Sequence, residues 1–311
     1  MDVDFSTVSA PPCKAAESWY DSPMSRYRLL ALDIDGTLVN LDDEISPATR
    51  AALVRAATAG TRIVLATGRR YGRAVHLAHA LTELVGQTCP LVTSSGALVK
   101  DPADHRTLHM AELPRPALLK ILQTIDAAGY EPIFYADTFH QGHDLYCRTT
   151  DVTCPLLAEF MARNAPFAHL CPQLVEDPPP GIFAGFAMGT REQMQLLADE
   201  LNRVVSGVLY THVLRSPKYT GFMCEIAPAG ATKWAAVLRM ADQWGISAEQ
   251  ICAVGDDVND VPMIEGAGLG IAMGNAPEEV RRAADRVAPM LDDDGLAQAI
   301  GWMLDGDRLT P

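Results

Sequence analysis

The chain has 311 residues, of which 48% are apolar and 21% charged, and its formal net charge is −14. This composition is typical of a globular protein of roughly two domains, and it argues against a disordered, fibrous or membrane-spanning chain. Because nucleic acids and anionic membranes attract a basic surface, the acidic balance excludes both as general partners.

The cysteines and the N-terminus indicate where the folded chain begins and in which compartment it resides. The seven cysteines are scattered, and none forms a CxxC pair, which is typical of reduced thiols in a cytoplasmic protein. The first 25 residues are rich in serine and proline, and they carry Asp2 and Asp4 where a secretory signal needs a basic start. We expect residues 1–25 to be a flexible N-terminal tail.

Short apolar runs that alternate with helical patterns follow this tail. The runs predict buried strands at 27–32, 62–66, 90–93, 251–254 and 269–272. Helices are predicted from Pro47, with Ser46 as N-cap, to Gly60, then after Arg69, over 232–244, from 259 and from 277. This alternation predicts an α/β fold with a parallel sheet that is covered by helices on both faces.

The stretch between these two halves has a different pattern. Helices are predicted there at 118–128, 154–160 and 191–204, and strands at 132–136 and 182–188. We therefore expect an inserted α/β domain over 112–208, which divides the core domain into 26–111 and 209–311.

Two carboxylates follow the first predicted strand, in Asp33-Ile34-Asp35-Gly36-Thr37. Residues two apart in an extended chain face the same side, so both carboxylates point into the crevice beyond the carboxyl ends of the strands. There they could act as nucleophile and acid/base, or bind a hard cation through oxygen. The alternative is a turn with two solvated aspartates.

A second acidic cluster, Gly255-Asp256-Asp257-Val258-Asn259-Asp260, follows another predicted strand. Its carboxylates are close enough in sequence to repel one another, which indicates that a cation neutralises them. Because both acidic clusters follow strand ends, together they predict a Mg²⁺ site.

An anionic substrate also needs hydrogen-bond donors beside these acids. Thr67, Gly68 and Arg69 follow a predicted strand and offer a hydroxyl, backbone N–H groups and the N-terminus of the next helix. Ser95 lies in a similar turn after the following strand. Lys233 begins a helix, where a cation opposes the macrodipole. Anion binding and neutralisation of the carboxylates explain it there, and a solvated surface lysine is the alternative.

In this order, the motifs resemble the haloacid dehalogenase-like hydrolase superfamily and, more narrowly, its Cof-type phosphatases. The matching segments are LLALDIDGTL, VLATGR, TSSGA, EIAPAGATKWAAV, AVGDDVNDVPMI, AMGNAPEEVRRAAD and DDDGLAQAI. They span residues 28 to about 300, and DxDGT together with GDxxND is a highly specific pair. The resemblance implies a Rossmannoid three-layer α/β/α core with an inserted C2-type α/β cap.

The resemblance also implies an activity, that of a Mg²⁺-dependent phosphatase with an aspartyl-phosphate intermediate. Asp33 would be the nucleophile and Asp35 the acid/base. Thr67 and Lys233 would bind the transferring phosphoryl group, and Asn259 would contact it.

The metal ligands implied by the resemblance are Asp33, the backbone carbonyl of Asp35, and Asp256. Asp260 would not bind the metal directly but would hold Lys233 or a metal ligand in position. The expected cofactor is therefore Mg²⁺.

Two positions depart from the family pattern. Ser95 stands where SNGA is common, and Trp234 stands where SKG is common. Because serine is shorter than asparagine, we expect an altered substrate contact at Ser95. We expect Trp234 to crowd the helix start and to shape the pocket.

The expected substrate is a small phosphorylated metabolite, either a sugar phosphate or a cofactor-like phosphomonoester, and the expected assembly is a monomer or weak homo-oligomer. The same motifs serve phosphomutases and phosphotransferases, and a non-catalytic phospholigand-binding protein is the alternative from another class. Substrate choice is expected to reside in the insert, where His140 and His143 form either a polar loop or a substrate-facing segment. In the second case, their removal lowers kcat/KM for the best substrate.

Overall fold

The computed structural model describes residues 26–215 and 219–306, so the predicted tail at 1–25 lies outside the described residues. The strands are β1 (Leu29–Leu32), β2 (Arg62–Ala66), β3 (Leu91–Thr93), β4 (Leu98–Lys100), β5 (Thr107–Met110), β6 (Ile133–Ala136), β7 (Leu145–Cys147), β8 (Ala168–Leu170), β9 (Ile182–Gly189), β10 (Leu209–Leu214), β11 (Phe222–Pro228), β12 (Ile251–Gly255), β13 (Leu269–Ala272) and β14 (Arg286–Val287). The α-helices are α1 (Pro47–Thr58), α2 (Val75–Val85), α3 (Arg115–Ala127), α4 (Pro155–Asn164), α5 (Arg191–Val204), α6 (Lys233–Gln243), α7 (Val261–Gly266), α8 (Glu278–Ala283) and α9 (Gly295–Asp305).

The larger sheet has the strand order β14-β13-β12-β1-β2-β3-β4-β5. Neighbouring strands from β14 to β3 run parallel, which confirms the predicted parallel sheet. β4 and β5 are antiparallel additions at one edge. The sequence did not predict these two strands, because each is short and β4 follows β3 after a single tight turn.

Helices cover both faces of this sheet. Leu30 packs in one buried cluster with Leu53 of α1 and Leu81 of α2, whereas Leu29 packs in another with Val237 of α6. Successive residues of a strand point to opposite faces, so β1 contributes to both clusters. The predicted three-layer α/β/α core is therefore confirmed.

The core helices begin where their capping residues allow. At α1, the Ser46 side chain caps the helix and Pro47 is its first residue, as predicted. α2 begins only at Val75, because a single 3₁₀ turn at Tyr71–Arg73 precedes it. The expectation of a helix N-terminus beside Thr67 is therefore wrong, and the intervening loop carries arginine side chains toward the site instead.

The smaller sheet has the order β10-β11-β9-β6-β7-β8. Its pairs are antiparallel apart from β7 with β8. Because β11 pairs with β9, the sheet continues to Pro228, and the predicted limit of the insert at residue 208 falls inside it. The sequence gives no break there, since the apolar run of β11 leads directly into the motif around Lys233.

The smaller sheet has its own apolar layers. Phe134 packs with Leu122 of α3 and Leu197 of α5 on one face, and Phe186 packs with Phe160 of α4 on the other. No helix in the described part of the chain is long and apolar enough to cross a membrane.

The described cysteines are free thiols: Cys89, Cys147, Cys154, Cys171, Cys224 and Cys252. Burial raises the pKa of Cys89 and of Cys224 to about 12. A buried thiol with a raised pKa is a poor nucleophile, so these two residues pack as small apolar side chains.

Candidate active site

Asp33 and Asp256 lie side by side because they leave neighbouring parallel strands, β1 and β12. The backbone N–H of Asp33 donates to Val254 O at 3.0 Å and extends the strand pairing to the edge of the sheet. Gly36 permits the close approach, since its φ is 79° and a Cβ there would lie 2.3 Å from Asp256 Oδ2. The two acidic motifs, far apart in sequence, thus form one cluster.

Lys233 lies inside this cluster and is buried. Its Nζ donates to Asp33 Oδ1 at 2.6 Å and to Asp260 Oδ1 at 2.7 Å. Burial lowers the pKa of Lys233, but the charges of Asp260 and Asp33 outweigh burial, and the net pKa is raised. The ammonium group therefore stays charged, and the two carboxylates offset its position at the first residue of α6.

The carboxylates outnumber this one ammonium group, so the cluster has excess negative charge. Burial and, after it, the charge of Asp260 raise the pKa of Asp256 to about 7. Burial also raises the pKa of Asp33, against the opposing charge of Lys233. A bound cation would stabilise carboxylates whose pKa values are raised by burial and by one another's charge.

The geometry of the cluster suits a metal ion. One carboxylate oxygen each from Asp33, Asp256 and Asp260 lie within 4.8 Å of one another. Asp260 is already committed, because its Oδ1 accepts from Lys233 and its Oδ2 accepts from the backbone N–H groups of Asp256 and Asp257. Asp33 and Asp256 are therefore the side chains best placed to bind a hard cation.

Two neighbours orient the Asp256 carboxylate. Thr37 Oγ1 donates to its Oδ1 at 3.1 Å, and Asn275 Nδ2 donates to its Oδ2 at 3.0 Å. Asn275 Nδ2 also donates to Gly36 O at 3.0 Å, which links both acidic motifs. Asn275 lies in the segment AMGNAPEEVRRAAD, but its sequence context alone did not predict this role.

Arg69 holds Asp35 rather than offering a free donor to the cavity. Its Nε and Nη2 donate to Asp35 at 2.8 and 2.6 Å. Its Nη1 and Nη2 donate to Asp43 at 3.1 and 2.6 Å, and Nη1 also donates to Arg73 O at 3.4 Å. Since a guanidinium has five N–H bonds, none remains for phosphate, and the predicted phosphate contact of Arg69 is not supported.

The turn after β3 is fixed against the loop after β2. Ser94 and Ser95 both have left-handed backbones, with φ of 48° and 55°. Their N–H groups donate to Arg69 O at 3.0 Å and Thr67 O at 3.1 Å. Such conformations are strained for residues other than glycine, and proteins keep them mainly at functional sites.

Several polar groups at these strand ends lack partners. Asn259 Oδ1 and the hydroxyls of Ser94 and Ser95 are buried, and within the described chain they make no hydrogen bond. Gly68 lies between them, since a Cβ there would be 3.5 Å from Ser95 Oγ and 3.7 Å from Asn259 Nδ2. Thr67 is buried beside them. Unsatisfied polar groups that converge in this way require a ligand or water.

A cavity of about 200 Å³ lies between this edge of the larger sheet and the smaller sheet. The larger-sheet side is lined by Asp33, Asp35, Thr67, Gly68, Arg69, Arg70, Arg73, Lys233, Asp257 and Asn259. The insert side is lined by Tyr135, Phe160, Asn164, Leu214, Arg215, Tyr219, Met223 and Glu225. The residues on the insert side could not be predicted from the sequence, because they come from separate elements and form no local motif.

Two buried cations join the insert to the core. Arg70, which lines the cavity, forms an ion pair with Asp144, and its Nη2 donates to Asn164 Oδ1 at 3.0 Å. Lys100 forms an ion pair with Asp137. Asp137 and Asp144 are the two ends of the segment 137–144, which we call the docking segment.

His140 and His143 lie within this docking segment and not against the cavity. His140 is exposed, and its ring lies 5.8 Å from that of His105. His143 stacks on His169 at 4.6 Å. Neither imidazole is among the residues that line the cavity, so the structure favours the polar-loop alternative.

Trp234 does not shape the cavity either. Its indole packs against Gly266, where a Cβ would lie 2.4 Å from the ring, and against the apolar cluster of α6. Consecutive residues of a helix diverge by about 100°, so Lys233 enters the site while Trp234 turns away from it.

This fold and this arrangement of strand-end residues define a class of hydrolase. The chain matches the haloacid dehalogenase-like hydrolase family over residues 30–300 and belongs to it. A haloacid dehalogenase-like hydrolase from Bacteroides thetaiotaomicron is similar in structure, with a TM-score of 0.72 and 27% identity over 88% of this chain and 98% of the other.

Two relatives of similar length carry more particular names. The 5-amino-6-(5-phospho-D-ribitylamino)uracil phosphatase YitU of Bacillus subtilis (strain 168) is 27% identical over 87% of this chain and 95% of its own. The pyridoxal phosphate phosphatase YbhA of Escherichia coli (strain K12) is 26% identical over 88% of this chain and 97% of its own.

Proposed function

We propose that this protein is a Mg²⁺-dependent phosphatase that hydrolyses a small phosphorylated metabolite through an aspartyl-phosphate on Asp33. The observation that carries the proposal is the position of Lys233. Its Nζ lies 2.6 Å from Asp33 Oδ1 and 2.7 Å from Asp260 Oδ1, at the bottom of the cavity. A fixed cation beside a buried carboxylate suits attack on a phosphoryl group, whose oxygens gain charge near it.

Asp33 is the nucleophile in the first step. Its Oδ1 is held by Lys233, so Oδ2 attacks phosphorus and the bond between phosphorus and the leaving oxygen breaks. Asp35 delivers a proton to that leaving oxygen. Because Arg69 is also paired with Asp43, a protonated Asp35 does not leave the guanidinium without a counter-ion.

Water completes the cycle in the second step. Asp35 takes a proton from water, the water oxygen attacks phosphorus, and inorganic phosphate leaves as the Asp33 carboxylate is restored. The Thr67 hydroxyl, the Asn259 side-chain N–H groups and the Gly68 N–H hold the phosphoryl oxygens during both steps. The unpartnered hydroxyls of Ser94 and Ser95, which can donate, support a bound ligand or water at this place.

The metal belongs to the same cluster. The Asp33 and Asp256 carboxylates, together with the Asp35 carbonyl, would hold Mg²⁺, and the excess negative charge of the cluster supports this assignment. Bound Mg²⁺ supplies positive charge that neutralises the phosphoryl oxygens.

We also propose a division of the chain into a core of residues 26–111 and 229–306 and an inserted cap of residues 112–228. The separate pairing of the two sheets supports this division, as do two apolar clusters that consist of insert residues alone. The cap lies opposite the strand ends of the core and supplies the apolar side chains that line the cavity. The names of the two relatives favour a cofactor-like phosphomonoester as substrate, with a sugar phosphate as the related alternative.

The direct test is a screen of phosphorylated metabolites with the purified, metal-free protein, with and without Mg²⁺. We expect release of inorganic phosphate that depends on Mg²⁺. When turnover of a radiolabelled phosphate ester is quenched with acid, we expect the label to remain on Asp33. Transfer of the phosphoryl group to a second metabolite without phosphate release would identify a phosphotransferase instead. Absence of both reactions for every compound would contradict the proposal.

A further inference from the structure

Glu225 has an unusual position on the wall of the cavity. It lies on β11 between Cys224 and Ile226, whose side chains are buried on the opposite face of the smaller sheet. Met223 and Glu225 share the other face, and both line the cavity. Among the cavity-lining residues that the insert supplies in the described chain, Glu225 is the single carboxylate.

This carboxylate has little to hold it within the protein. Burial, and after it the charge of Asp257, raise the pKa of Glu225 to about 7, while the charge of Lys233 opposes them. The Ser95 hydroxyl lies near enough to lower this pKa slightly. That hydroxyl makes no hydrogen bond of standard geometry, so the carboxylate oxygens are left with unused acceptor capacity.

The phosphoryl group and the metal do not account for Glu225. A carboxylate repels phosphoryl oxygens, so it does not bind the transferring group. The carboxylate cluster that could hold a metal consists of Asp33, Asp256 and Asp260, without Glu225. The group that complements Glu225 must therefore be a hydrogen-bond donor on the leaving group.

The donor must also lie close to the scissile bond. Glu225 is near enough to Lys233 for the ammonium charge to lower its pKa, and Lys233 contacts the nucleophile Asp33. Tyr135, Met223 and Leu214 line the same side of the cavity and offer few acceptors. A hydroxyl on the first carbons of the leaving group would find its acceptor in Glu225.

We propose that Glu225 is a specificity-determining residue that accepts a hydrogen bond from a hydroxyl near the ester oxygen, so that polyol-like phosphomonoesters are preferred over simple alkyl or aryl esters. The inference rests on the phosphatase function proposed above.

A matched pair of substrates isolates this contact. Glycerol 1-phosphate and n-propyl phosphate have the same carbon chain and differ only in their hydroxyl groups. We expect the wild-type protein to show a kcat/KM at least about tenfold higher for glycerol 1-phosphate, the effect of one charge-assisted hydrogen bond. Glu225→Gln should lower that ratio about tenfold, mainly through KM, while Glu192→Gln, at an exposed position on α5, should leave the ratio unchanged.

The outcomes separate this inference from the proposed function. Equal kcat/KM values for the two esters in the wild type, or an unchanged ratio in Glu225→Gln, would overturn the role of Glu225 and leave the phosphatase intact. Failure of the wild type to hydrolyse either ester or any other phosphomonoester would contradict the proposed function itself. If Glu225→Gln does not fold, Glu225→Asp is the second variant. Its shorter side chain keeps the charge but moves the carboxylate away from the substrate hydroxyl, so the same fall in the ratio of the two kcat/KM values is expected.

Discussion

The two walls of the cavity are built in different ways. On the core side, Asp33, Thr67 and Asp256 follow directly on the ends of parallel strands. On the insert side, the lining residues come from three different strands, from the helix α4 and from the loop between β10 and β11. Phosphoryl transfer requires a few charged atoms at fixed positions, whereas recognition of a leaving group can be achieved by many combinations of side chains. The proposed function therefore assigns the reaction to the core wall and the choice of substrate to the insert wall.

The largest expected effect concerns the core wall. Asp33→Asn should lower kcat by at least about a thousandfold, because an amide is a poor nucleophile, while the thermal unfolding midpoint stays close to that of the wild type. Phosphate release and a thermal melt measure the two quantities. Asp42→Asn, at an exposed position in the nearby loop, is the matched control and should have wild-type kcat. A residual kcat of one tenth in Asp33→Asn would show that another residue is the nucleophile.

The second prediction tests whether the acidic cluster binds the metal. Asp256→Asn should raise the Mg²⁺ concentration for half-maximal activity by about tenfold to a hundredfold, because one anionic ligand is replaced by a neutral one. Thr37 and Asn275 still hold the side chain in place. A titration of activity with Mg²⁺ after removal of metal measures the shift, and the exposed Asp292→Asn serves as control. Full activity of the wild type in excess chelator would contradict the metal assignment.

The sequence predicted the core wall well because its signals are local. Asp33, Asp35 and Asp256 follow apolar runs, and the directions of parallel strands then bring them together. The pairing of Arg69 with Asp43 could not be predicted, since it depends on the path of a loop between two strands. For the insert, the β9–β11 pairing fixes which residues face the cavity, and no local pattern encodes that pairing.

The junction between the two regions gives the third prediction. Arg70 and Asp144 pair with side-chain exposures of 4% and 7%, whereas Arg115 and Asp177 pair with 52% and 80%. Asp144→Asn leaves the Arg70 charge buried without its counter-ion, so we expect a loss of about 3 kcal/mol in the free energy of unfolding. Asp177→Asn should cost less than about 1 kcal/mol. Denaturant titration measures both, and equal losses would mean that Arg70 finds another partner or water.

The smallest expected effect concerns the docking segment. His140→Ala together with His143→Ala should change kcat/KM by less than about twofold for any substrate, because neither ring lines the cavity. Burial and, after it, the charge of His169 lower the pKa of His143. The His143 imidazole is therefore neutral at pH 7, and its removal takes away no charge. Asp137 and Asp144, which anchor the segment, are retained in this variant. The test compares kcat/KM of the double variant and of the wild type for a ring-bearing phosphorylated metabolite and for p-nitrophenyl phosphate. A selective tenfold loss on the metabolite alone would place these histidines in the substrate path, and the insert wall would then extend to a segment that the structure assigns to docking.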